Sequence, residues 1–164
     1  MQVTTRQTYL FAMVVVTLVL AIAGTALAQA GSSNLGTWKL NLAKSTFAPG
    51  TAPKSAIFTN VVAGAGIKST SDSVRADGTA VHSENTEVYD GKDYPISGNS
   101  LNGDTVAGTR VDANTLTFVY KKNGKVTVTS TNVVSADRKT YTITSKGTNT
   151  LGQTVNTVAL YDKQ

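Results

Sequence analysis

From residue 35 onward, apolar and polar positions alternate in short runs broken by Gly, Asn and Asp. Leu116, Phe118 and Tyr120 share one face of such a run, and Val126 with Val128 and Tyr141 with Ile143 repeat the pattern, with Thr, Ser and Lys between them. A period of two marks a strand with one face buried and one face wet. Turn chemistry separates the runs at Ala76-Asp77-Gly78, Tyr89-Asp90-Gly91-Lys92, Gly98-Asn99, Asn102-Gly103-Asp104, Asp112-Ala113-Asn114, Lys122-Asn123-Gly124-Lys125, Ala136-Asp137-Arg138 and residues 149–152. Asn-Gly and Asp-Gly favour tight hairpins, because type I′ turns need positive φ at both central positions. The pattern predicts strands near 35–42, 55–63, 66–75, 79–89, 93–97, 104–111, 115–122, 125–135, 139–147 and 154–162. Such regular short connections describe an antiparallel meander. A sandwich would need long crossings, whereas closure removes every exposed edge. The expected fold is therefore all-β, an antiparallel up-and-down barrel of about 8–10 strands. Only residues 43–54 break the rhythm; Pro49-Gly50 and Pro53 make them a loop across one barrel end, with room for a helical turn at 43–47.

The first 30 residues follow another rule. Arg6 supplies a positive charge, residues 9–27 are almost unbroken apolar, and Ala26-Leu27-Ala28 and Ala28-Gln29-Ala30 are small-x-small cleavage motifs. This is the pattern of a secretory signal cut near Ala28 or Ala30. The apolar run would also span a bilayer, which takes about 20 residues, but its small-residue ending favours cleavage. The expectation is a signal peptide over 1–30 and one barrel domain over 31–164. The chain has no Cys, so neither disulfides, a lipid on Cys, nor thiolate chemistry is available. The hydrophobic core alone must hold the domain, and chains of this size bury over roughly 60% of their unfolded surface.

The single tryptophan, Trp38, sits in Gly36-Thr37-Trp38, at the start of the first strand. Gly-x-Trp in that place resembles the signature of lipocalins and the wider calycin group. The resemblance implies that Trp38 plugs the closed end of the barrel. It also implies a cation from the last strand across the indole, which makes Lys163 the candidate. Gly36-Thr37-Trp38-Lys39-Leu40-Asn41 with Ala43-Lys44-Ser45, and Tyr89-Asp90-Gly91-Lys92-Asp93-Tyr94-Pro95, resemble a group of small exported bacterial lipocalin-like proteins of undefined function. A periplasmic or secreted location follows from that likeness and the leader. The departures are specific. The Thr-Asp-Tyr motif of lipocalins and the last-strand Arg-x-Tyr of fatty-acid-binding proteins are missing, and residues 43–54 are too few for a helical lid. The likeness implies a barrel and names no cargo.

Charge narrows the partners. The full chain carries a net +5, and losing Arg6 leaves +4. Only Lys121, Lys122 and Lys125 cluster, around a turn, so no basic stripe for nucleic acid is present. Aromatics make up 7% of the chain, predicted outer faces carry Thr, Lys and Asn, and the chain ends Asp162-Lys163-Gln164. That lacks the aromatic girdles of an outer-membrane barrel, so no membrane insertion is expected after cleavage. Catalytic chemistry is equally thin. No Gly-x-Ser-x-Gly elbow accompanies His82, the only histidine, and nothing else marks a haem pocket. His82, Glu84 and Glu87 are not a metal set, because period two puts Glu87 on the other strand face. Asp77, Asp90, Asp104, Asp112 and Asp137 fall in turns. The expectation is a monomer that is not an enzyme, without metal or cofactor.

Binding chemistry is better represented. Tyr89, Tyr94, Tyr120 and Tyr141 each offer an apolar ring and a hydroxyl, and Arg110 is placed to meet an anionic head group. Ser69, Ser71, Ser83 and Thr86 put many hydroxyls on the middle strands. A dry core does not tolerate so many unpaired hydroxyls, which predicts a wet cavity. The expected function is binding or carriage of a small apolar or amphipathic ligand. The alternative is an envelope adaptor with a filled barrel and no small-molecule ligand.

Overall fold

Ten antiparallel strands follow one another around the molecule in chain order. They are β1 (Gly36–Leu40), β2 (Ser55–Ala63), β3 (Gly66–Val74), β4 (Ala80–Glu87), β5 (Tyr94–Gly98), β6 (Thr105–Arg110), β7 (Thr115–Lys122), β8 (Lys125–Val134), β9 (Thr140–Thr148) and β10 (Thr154–Lys163). Each pairs with the next, and β1 closes on β10, so the sheet is a complete up-and-down barrel. The computed structural model describes residues 32–164; the expected signal segment lies outside the described residues. The closed all-antiparallel barrel is compatible with a lipocalin-like fold.

Local chemistry explains most boundaries. Asn123 and Gly124 both take positive φ, 50° and 74°, the type I′ geometry that an Asn-Gly pair favours. Asp77 and Asp112 hold their turns by accepting backbone amides, from Thr79 at 2.9 Å and from Asn114 and Thr115 at 2.8 Å each. Tyr89-Asp90-Gly91-Lys92 behaves differently from a tight hairpin. The positive φ falls on Tyr89 (58°) and Gly91 (79°), and Asp90 forms a bridge to Thr109. This segment therefore leans on β6 rather than folding back as two residues. The loop after β1 contains a 3-10 turn at Leu42–Lys44, capped by Asn41, whose side chain accepts the Lys44 amide at 3.2 Å.

One end of the barrel is filled. Trp38 is fully buried, with ring centroids 6.4 Å from Phe58 and 5.2 Å from Tyr141. Its indole N–H donates to the Asn34 carbonyl at 3.0 Å. Lys163, opposite Trp38 in the β1–β10 register, places Nζ 5.0 Å from the indole centroid. Gly36 has φ 109°, and a Cβ there would meet Lys163 Cε at 3.0 Å. A glycine two residues before the tryptophan thus leaves room for the cation to cross the ring.

A candidate ligand-binding cavity

The other end is open. Above the Trp38 cluster the barrel encloses a cavity of about 440 Å³. Its mouth is formed by residues of the 43–54 loop, such as Phe47 and Pro53, by the β3–β4 turn at Arg75 and Asp77, and by Leu101, Asn149 and Gln153.

The walls differ because the registers differ. On β3 and β4, Ser71 faces Ser83 and Ser69 faces Asn85 across the ladder. Directly opposed residues share a face, so Ser69, Ser71, Ser73, Ser83, Asn85 and Glu87 make one polar wall of the cavity. Thr86, expected beside them, pairs with Lys68 and is exposed on the outer face; its strand phase is opposite to that of Ser83 and Glu87. Around the rest of the lumen, Phe118, Tyr120, Tyr141, Ile143 and Tyr161 give aromatic and aliphatic surface, interleaved with Ser130, Asn132, Ser145 and Thr157, while Phe58, on β2, lies beside Ser71. Burial pushes the Tyr141 and Tyr161 hydroxyls up to about 12. Tyr89 and Tyr120 are likewise raised by burial.

The floor carries buried polar groups. Asn34 Nδ2 donates to the Tyr89 hydroxyl at 2.7 Å, and Asn60 Nδ2 donates to the Asn34 carbonyl at 2.9 Å. Asn132 Nδ2 reaches the Tyr141 hydroxyl at 3.4 Å. Glu87 is 3% exposed, and its Oε1 accepts from Asn85 Nδ2 at 3.0 Å. Burial raises the Glu87 carboxyl to about 7; the Asn85 amide and the Gly108 backbone oppose the rise, and the Asp90 charge adds to it. Among the described residues, four buried side-chain oxygens lack a hydrogen-bond partner: Asn34 Oδ1, Glu87 Oε2, Ser130 Oγ and Asn132 Oδ1. All four belong to residues lining this cavity. Such a group costs about 1–3 kcal/mol when left unpaired, so their gathering in one place calls for an explanation.

The candidate residues divide by position. Tyr89, Tyr120 and Tyr141 line the cavity. Tyr94 does not; its hydroxyl donates to Asp90 Oδ1 at 3.2 Å on the exposed side, because β5 starts beside the Asp90 turn. Arg110 does not line it either. Its guanidinium lies 5.3 Å from the Tyr89 ring centroid and donates to the Ser32 hydroxyl. Residues 32–34, which closed end packing buries, draw it beneath the floor. Gly36, Trp38 and Lys163 form the closed end as described. His82 is exposed, 2.7 Å from Asp72, and Glu84 pairs with Lys68 at 3.0 Å. Among the described residues, no three metal-ligating side chains gather.

Sequence reasoning missed Asn34, Asn60, Glu87, Ser130 and Asn132. The last two had a visible mark. They stand in phase with the inward Val128 and Val134 of β8, so each is a polar residue where the alternation demands an apolar one. No protein-family model matches the chain, and comparison with curated proteins and with solved structures finds no match either.

Proposed function

We propose that this domain carries or sequesters a small amphipathic ligand in the open half of its barrel, and that the chain is exported to a bacterial periplasm or medium. The observation that supports carriage is the cavity of about 440 Å³, whose lining combines the polar side chains of β3 and β4 with several aromatic rings. Small-molecule sites run from about 300 to 1,000 Å³ and combine apolar surface with a few placed polar groups. The rings of Phe118, Tyr120 and Tyr141 would cover the apolar side of a ligand, and Ser69, Ser71, Ser83 and Asn85 would meet its polar side. The action is binding without covalent change. An adaptor with a filled barrel would need apolar packing where these serines stand. The export half of the proposal rests on the leader pattern and the lipocalin-like resemblance.

Native mass spectrometry of the protein purified from its own cells, before and after organic extraction, tests carriage. A discrete added mass removed by extraction is expected. A bare chain mass in every preparation would move the search to the outer surface.

A further inference from the structure

We infer that the ligand presents a protonated amine and that Glu87, at the cavity floor, is the group that receives it. This rests on the carrier reading and names the class of cargo. Three features of the floor point the same way. Among the described residues, Glu87 is the one charged residue lining the cavity below its mouth; Arg75 and Asp77, at the mouth, pair with each other at 3.2 Å. A buried carboxylate is stable only when paired or hydrogen-bonded; Asn85 donates to one Glu87 oxygen, while the other has no side-chain partner and only the Gly108 backbone beside it. Three of the four unpaired atoms share a sense: Asn34 Oδ1, Asn132 Oδ1 and Glu87 Oε2 only accept hydrogen bonds, whereas Ser130 Oγ can donate or accept, and Asn34 Nδ2 and Asn132 Nδ2 already donate to Tyr89 and Tyr141.

Those three oxygens can only accept, and an ammonium brings three donors with a positive charge. Aromatic rings around the site, Tyr89, Phe118, Tyr120 and Tyr141, suit a cation as well as an apolar body. An anionic ligand would meet the like charge of Glu87. A neutral apolar ligand would leave every acceptor unpaired. The other groups that bear on Glu87 are the Asp90 charge, the Gly108 backbone from β6 and the phenols of Tyr89, Tyr120 and Tyr141. Arg110 sits under Tyr89, held by Ser32, and its charge acts on Tyr89 and Tyr141.

Three indoles that differ at one end test the assignment: tryptamine, tryptophol and indole-3-propionate, titrated calorimetrically into protein purified from cells expressing the full chain. Tryptamine should bind at least about tenfold tighter than the alcohol at pH 8, and the acid weakest of all. Tryptamine stays charged between pH 8 and pH 6, while a carboxyl titrating at about 7 picks up its proton, so tryptamine affinity should fall about tenfold. Glu87→Gln should bring tryptamine down to the alcohol. Equal binding of amine and alcohol, a flat pH profile, or undiminished binding by Glu87→Gln would each overturn the assignment. If that variant fails to fold by circular dichroism, the wild-type pH profile decides. Failure of all three probes overturns the amine assignment alone, because the mass spectrum judges carriage without any probe.

Discussion

The two ends of this barrel are built by the same ten strands and finished in opposite ways. At the closed end, inward positions are large and apolar: Trp38, Phe58, Val134 and Tyr141 form one cluster and Ile67, Tyr89, Val106, Leu116 and Phe118 another. Residues 32–34 lie against that end, with Ser33 donating to the Ala113 carbonyl at 2.8 Å. Toward the open end the inward positions of β3 and β4 are serines, too short to meet across the lumen. One end thus supplies hydrophobic burial and the other gives some of it up for a cavity. In a chain without cysteine, stability should concentrate in the closed end.

Truncating the plug should have the largest effect. Trp38→Ala removes a fully buried indole, its hydrogen bond to Asn34 and its contact with Lys163. The expected loss is about 3–5 kcal/mol, read by urea unfolding followed with circular dichroism. A loss under about 1 kcal/mol would mean that the closed end does not carry the fold.

Glu87 sits where the two halves meet and should show the next effect. Its carboxyl rises from 4.5 to about 7 on folding, so between those values the folded chain binds more protons than the unfolded one. Stability from this group is therefore full below 4.5, declines as pH rises, and is lowest above about 7. The whole span corresponds to roughly 3 kcal/mol at most. Glu87→Gln, uncharged throughout, should melt higher than the wild type at pH 8 and match it at pH 4.5. Asp77, Asp112 and Asp137, held low by turn amides and nearby hydroxyls, and Asp104, held low by the Asn123 amide and the Lys122 ammonium, act the other way in both proteins. The difference between the two melting curves therefore isolates Glu87. Identical curves would mean that the carboxylate is not buried unpaired.

The strands were legible because alternation and turn chemistry agree almost everywhere. At Lys122-Asn123-Gly124-Lys125 both levels specify one hairpin, and β7 and β8 end and begin there. Closure was legible through short connections, and the plug through Gly36, Trp38 and Lys163. The cavity floor was not, for a physical reason. Tyr94 and Tyr120 look alike in sequence, yet one hydroxyl faces Asp90 outside while the other ring lines the lumen, because β5 pairs with its neighbours over only a few residues. Arg110 looked like an inward cation until residues 32–34 supplied a partner below the floor. Glu87 was visible as facing away from His82, but period two says which residues share a face, not which face is the lumen.

The smallest effect should come from the polar wall, and it tests whether that wall borders open space. Ser71 and Ser83 face each other across β3 and β4 and line the cavity. Replacing both with Val adds methyl groups on the lumen side and raises strand propensity. In a packed core, extra methyls force neighbours to move and cost about 1–3 kcal/mol. In a cavity they find room, so Ser71→Val/Ser83→Val should stay within about 1 kcal/mol of the wild type in urea. The cavity would lose two hydroxyls, so binding of a polar-faced ligand should weaken while the fold holds. A destabilisation above about 2 kcal/mol would mean that the serines are packed, and the contrast between the two ends would then lie only in residue type.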